Sequence, residues 1–216
     1  MNKNTRQFKV GAKWLHWLVA LFLLTVISEA FSFKWTAPED RATAIPAHVS
    51  VGMIVLALTL IRLAYRSVNP PPAIPTSTPK WMKSGAHIGH FLLYALVFYM
   101  AFLGVWMAAI SPVDIRIFSG FNLSSLADAD KDQLANLRRL HFAGATLFVV
   151  TLIGHVGAAF WHQFVLRDGV LTAMLPFSGL IQKTLAHGKP AVWRFPAANQ
   201  IDWGRKATWF KDNQTR

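Results

Sequence analysis

Three histidines lie in a stretch that is otherwise almost wholly apolar, RLHFAGATLFVVTLIGHVGAAFWH, from Arg139 to His162. They are His141, His155 and His162, fourteen and then seven residues apart. Imidazole changes charge near neutral pH, donates or accepts hydrogen bonds, and is the commonest side-chain ligand for metal ions. An ionisable group inside an apolar helix is costly and marks a working position. On an α-helix, fourteen residues turn about 1400°, roughly 40° short of four full turns, and rise about 21 Å. His141 and His155 therefore share a face at opposite ends of the stretch, and His162 continues nearly the same stripe.

Two further histidines, His16 and His48, stand in other apolar stretches. There are four such stretches, at about 12–33, 47–65, 87–110 and 140–164. Each can cross a hydrocarbon core of about 30 Å, which takes roughly 20 helical residues. Each is too long and continuous for a strand. Trp14, Trp17, Trp35, Trp81, Trp106 and Trp161 fall near their ends, as interfacial aromatic belts do. The first stretch is too long for the apolar region of a signal peptide, and no small-residue cleavage site follows it. Consecutive spans alternate in direction. His16 and His155 then match in depth near one surface, and His48 and His141 match near the other.

The chain has 216 residues, of which 53% are apolar and 15% charged. A soluble domain carries roughly 25% charged residues, so composition and length both point to a membrane protein. Basic residues crowd one side. Lys3, Arg6, Lys9 and Lys13 precede the first span, Arg62, Arg66, Lys80 and Lys83 flank the second connection, and eight more follow the fourth span. On the other side Lys34, Arg41, Arg116, Lys131, Arg138 and Arg139 are balanced by acids. The positive-inside rule places both termini in the cytoplasm. The expected fold is all-α, a four-helix transmembrane bundle. The net charge of +12 reflects topology and attraction to anionic lipid, and no nucleic-acid partner is inferred.

The connections differ in kind. The second, VNPPPAIPTSTPK, is proline-rich and extended. The third is long and outside, and Asp130 followed by Gln133 resembles a capping box that starts the fourth helix near Lys131. Residues 8–176 form the transmembrane domain, and 177–216 form a basic, aromatic-rich cytoplasmic tail. That composition suits a segment lying on the membrane surface, with partial disorder as the competing reading.

The chain has no cysteine, which excludes disulfides, thiolate metal sites and thioether-linked haem. Two facing imidazoles in a helix bundle are what a six-coordinate haem requires. Each neutral ring binds iron through one nitrogen and donates its other N–H to a nearby acceptor. Small residues should flank the ligands to leave room for a porphyrin. Gly52 follows His48 by one turn, Ala143, Gly144 and Ala145 follow His141, and Gly154, Gly157, Ala158 and Ala159 surround His155. The competing reading is that these glycines only allow close helix packing.

LHW in the first span, AHVSVG in the second, HIGH opening the third and LHF with IGHVGAAFWH in the fourth resemble the bacterial cytochrome b-561 family. RLAYRSVNPPP after the second span and RDGVLTAMLP after the fourth resemble it too. The resemblance covers about residues 8 to 176; the long tail departs from the short forms of the family. It implies a di-haem membrane electron carrier working with the quinone pool. His16 and His155 would hold one haem b, and His48 and His141 the other.

Arg62 is fourteen residues from His48, on the same face at the inner depth. It would meet a propionate or a quinone head group, or snorkel to the interface. Arg138 and Arg139 would serve the outer haem or only the surface. His87, His90 and His162 lie near the cytoplasmic interface and resemble family histidines. They form a candidate quinone and proton site, with interfacial hydrogen bonding as the plainer reading. His162 is the main rival of His155 as inner ligand. Glu29, near the outer end of the first span, is read as reaching water, and His187 carries no signal.

The expected function is electron exchange between an outer-side donor and ubiquinone, in the bacterial inner membrane. Bis-histidine ligation leaves no open iron position, so electron transfer is expected rather than oxygen activation. Three alternatives stand beside it. One is a superoxide oxidase with quinone as acceptor, an activity known in the family. Another is a haem-binding membrane anchor for a larger redox complex. The third is a histidine-based metal or proton transporter without haem.

Overall fold

A computed structural model describes residues 8–37, 39–72, 78–118 and 120–177. The tail beyond Phe177 lies outside the described residues. Four long helices are apolar and long enough to cross a membrane: α1 (Val10–Ser32), α2 (Arg41–Val68), α3 (Lys80–Ala109) and α4 (Lys131–Trp161). Strands β1 (Arg116–Ile117) and β2 (Phe121–Asn122) and a 3₁₀ turn at Leu123–Ser125 fill the connection from α3 to α4. A π-helical turn (His162–Leu166) and a short α5 (Val170–Met174) follow α4. The chain is thus a four-helix transmembrane bundle, as the apolar stretches predict.

α2 runs beyond its apolar stretch at both ends, and α3 and α4 begin well before theirs. α4 starts at Lys131 because the Asp130 carboxylate accepts from the Gln133 backbone N–H at 2.9 Å, the first half of the expected capping box. The second half is absent. The Gln133 side chain instead accepts from Trp106 Nε1 at 3.0 Å, which ties α3 and α4 together at the end of the bundle that is named outer after the charge pattern of the sequence. Much of the helix surface stays apolar and exposed, as at Leu21, Phe91, Phe142 and Ile153. Lipid, not water, is the solvent for such a face.

α1 packs on α2, α2 on α3 and α3 on α4, while α4 makes little backbone approach to α1 or α2. Two glycines set the closest approaches. A Cβ on Gly11 would meet the Tyr65 ring at 2.8 Å, and one on Gly144 would meet Tyr99 Cε1 at 2.6 Å. Halfway across the bundle, Val55, Leu96, Val97 and Phe148 form a buried apolar layer with Phe22, Val26 and Leu152 against it. Phe148 is two turns from both His141 and His155, so this layer separates the two histidine levels.

The outer connection is more ordered than a loop. β1 and β2 pair antiparallel, and Ile115, Ile117 and Leu123 bury against Ala108, Ile45 and Val49. The Phe118 N–H donates to Ser50 Oγ at 3.1 Å. This hairpin caps the outer end of α2, next to His48.

Candidate functional site

At the inner level all four long helices contribute a polar side chain. His16 on α1 faces His155 on α4, with ring centroids 6.3 Å apart and planes inclined at 72°. His90 on α3 stands closer still to His155, at 5.3 Å and 78°. Arg62 on α2 lies within electrostatic reach of His16, His90 and His155. Its guanidinium stacks on the Tyr94 ring at 5.7 Å, and the Tyr94 hydroxyl is buried without a hydrogen-bond partner.

At the outer level His48 on α2 and His141 on α4 lie within electrostatic reach of each other. Gly104 on α3 backs His141: a Cβ there would stand 3.8 Å from the ring's Cε1. The His48 ring packs edge-on against Phe33 at 5.3 Å, and its Nδ1 is 3.7 Å from Glu29 Oε2. Glu29 therefore does not simply reach water, since its Oε2 is sealed from solvent.

The side chains suit a flat macrocycle between paired imidazoles. The pairs His16 with His155 and His48 with His141 span the gap between α4 and the α1–α2 pair. Among the described residues, Nδ1 of His16, His48 and His141 is buried with no hydrogen-bond partner. Burying such a nitrogen unmatched is unfavourable; iron bound at this nitrogen would remove the mismatch, and iron bound at Nε2 would leave an N–H at Nδ1 that needs an acceptor. A Cβ on Gly52, Gly154 or Gly157 would meet nothing within 4 Å, so these positions open onto space. Gly144 is different. It holds Tyr99 and Met100 in contact, which makes it a packing glycine.

The three candidate quinone and proton histidines separate. His90 joins the inner cluster, its Nδ1–H donating to the Ala86 carbonyl at 2.6 Å and leaving the Nε2 lone pair free to accept. His87 is exposed and bonds the Lys83 carbonyl at 2.7 Å. His162, on the π-helical turn, pairs with Asp168 at 2.5 Å, with Arg167 (φ +54°) and Gly169 (φ +75°) turning the chain back beside it. His90, not His162, is thus the side chain that competes with His16 for the space in front of His155. Asp168 was missed from sequence because the π-helical turn shifts its register. Arg138 and Arg139 are exposed within one turn of His141.

The sequence profile of the prokaryotic cytochrome b561 family matches residues 7–177. The chain is 26% identical over 166 residues to cytochrome b561 homolog 1 of Escherichia coli strain K12, covering 76% of this chain and 93% of that protein. It is 29% identical over 170 residues to cytochrome b561 homolog 2 of the same organism, covering 74% and 86%. It is 27% identical over 180 residues to the probable superoxide oxidase CybB of Yersinia pestis, covering 82% and 98%. With four membrane-crossing helices and histidines paired at two depths, the chain belongs to the prokaryotic cytochrome b561 family, multi-pass electron carriers of the bacterial inner membrane that bind haem b.

Proposed function

We propose that this chain holds two haems b and exchanges electrons between an outer-side donor and the quinone pool, with both termini in the cytoplasm. His16 and His155 hold the inner haem, and His48 and His141 the outer one. The observation that carries this reading is the pairing of imidazoles at two depths across the gap between α4 and the α1–α2 pair. The haem iron supplies a reversible one-electron couple when bound. The chain supplies the rest. The paired rings fix orientation, and the apolar layer around Phe148 keeps water out between the levels.

At the inner level Arg62 offers a positive charge to a propionate or a quinone head group. His90 and the His162–Asp168 pair are proton-handling groups, which quinone chemistry needs because protons move with its electrons. Haem stoichiometry tests the proposal. Purified protein should show a Soret band that sharpens and shifts on dithionite reduction, with two haems per chain. One haem per chain would overturn the double assignment.

Superoxide oxidation with quinone as acceptor is the second reading. The Yersinia pestis relative, named a probable superoxide oxidase, is matched over 98% of its length. Arg138 and Arg139, exposed beside His141, would attract an anion, but the exposed Asp128, Asp130 and Asp132 leave that side near neutral, which keeps this reading second. Stopped-flow mixing of superoxide with the oxidised protein decides it, and absence of haem reduction counts against it.

A further inference from the structure

Glu29 and His48 are brought together by the short connection between α1 and α2. Glu29 lies in the last turn of α1, and His48 two turns into the antiparallel α2. An acidic side chain among membrane-spanning residues is costly and needs a partner. Oε2 of Glu29 and Nδ1 of His48 are both buried, and neither has a hydrogen-bond partner. They face each other at 3.7 Å, beyond hydrogen-bond length but within what a small rotation of either side chain closes. Phe33 packs against the imidazole at 5.3 Å and limits its freedom. The Val26 backbone is the other polar group near the ring.

An imidazole that gives one nitrogen to iron carries its proton on the other. A carboxylate accepting that N–H makes the ring a stronger donor and fixes its plane. It also places negative charge near the iron, which favours the ferric state and lowers the reduction potential.

We propose that Glu29 is the charge partner of the outer ligand His48: its carboxylate accepts the Nδ1–H and holds the outer haem at a lower reduction potential than a neutral partner would. The proposal rests on His48 being a haem ligand. Glu29 is a positioning residue that acts through the imidazole.

The test is a redox titration of the purified full-length protein, followed optically and by electron paramagnetic resonance. The variants are E29Q, E29A and E29D, with H48A as reference. H48A should lose one haem and so identify the outer couple. E29Q and E29A should raise the potential of that couple alone, increasing its reduced-to-oxidised ratio at fixed potential by on the order of tenfold, ~59 mV for one electron. E29D keeps the charge and should stay close to wild type. If E29Q or E29A costs the outer haem, E29D should restore it. Unchanged potentials in E29Q and E29A, or failure of E29D to restore a lost haem, overturns the role of Glu29. Two retained haems in H48A instead overturns the assignment of His48, and the proposal with it.

Discussion

Tyr99 occupies the space that the missing side chain of Gly144 leaves. A Cβ on Gly144 would stand 2.6 Å from Tyr99 Cε1 and 2.9 Å from Met100 Sδ. Gly52, one turn past His48, has nothing within 4 Å of the same ideal Cβ position. Glycine thus does two jobs: it lets α3 and α4 touch, and it leaves room beside a histidine.

The two jobs separate by mutation. G144A forces Tyr99 or Met100 to shift and should lower stability by about 1–3 kcal/mol, the usual range for overpacking. G52F should leave the bundle folded but lower the outer haem content, because its ring would enter the space beside His48. Unfolding of the detergent-solubilised protein and haem-to-protein ratios measure both. A G52F protein with full haem content would show that the space at Gly52 is not used by haem.

The inner ligands are tested by removing three histidines singly. H155A should lose one haem and keep the other. H162A should keep both, since His162 is held by Asp168 at 2.5 Å. H90A is the sharper test, because its ring is nearer to His155 than His16 is. It should keep both haems but alter the spectrum of the inner one. Loss of a haem in H90A with retention in H16A would exchange their assignments.

Depth along a helix can be read from sequence, and lateral neighbours cannot. A spacing of fourteen residues and alternating spans are enough to bring His16 level with His155, and His48 level with His141. The rotation of each helix about its axis decides which groups meet sideways. The low-contrast apolar faces of α1 and α4 do not reveal that rotation. This hid the approach of Glu29 to His48 and of His90 to His155. The split between Gly144 and Gly52 was hidden for the same reason, since a glycine leaves the same mark whether helix or cofactor takes its space. The hairpin over His48 leaves no periodic signal in the sequence, because its strands are only two residues each.

That hairpin also holds a carboxylate whose protonation is tied to its fold. The Asp114 carboxylate accepts from Asn122 Nδ2 at 3.2 Å and from Arg116 at 3.3 Å. These bonds, Asn122 first, hold its pKa below the ordinary carboxylate value. A carboxylate with a lowered folded-state pKa adds stability above its unfolded pKa and loses it as pH falls through the folded one. Amide exchange in 115–124 should therefore lose protection below the ordinary carboxylate range, and D114N should flatten the dependence. An identical pH profile in D114N would remove Asp114 from the cause.

The last prediction concerns proton supply at the inner face. One carboxylate ties two elements together there: Asp168 Oδ2 holds His162 Nδ1 at 2.5 Å, and Oδ1 accepts from the Val170 N–H at 3.2 Å. α5 in turn is anchored on α1, where Trp17 Nε1 donates to the Met174 carbonyl at 3.0 Å and Trp14 packs edge-on against Phe177 at 5.6 Å. The pair thus sits on a fixed platform beside the helix that carries His16. D168N keeps a side-chain oxygen for the Val170 N–H and removes the charge that orients the imidazole. Haem content and reduced spectrum should match wild type. Oxidation of the pre-reduced protein by a soluble quinone should slow by on the order of a hundredfold, the lower end of what a positioned acid or base contributes. H162A should slow it as much, and the double variant no further, because the two residues act as one unit. A wild-type rate in D168N would leave the pair with a structural role alone, and His90 as the proton-handling histidine of the inner cluster.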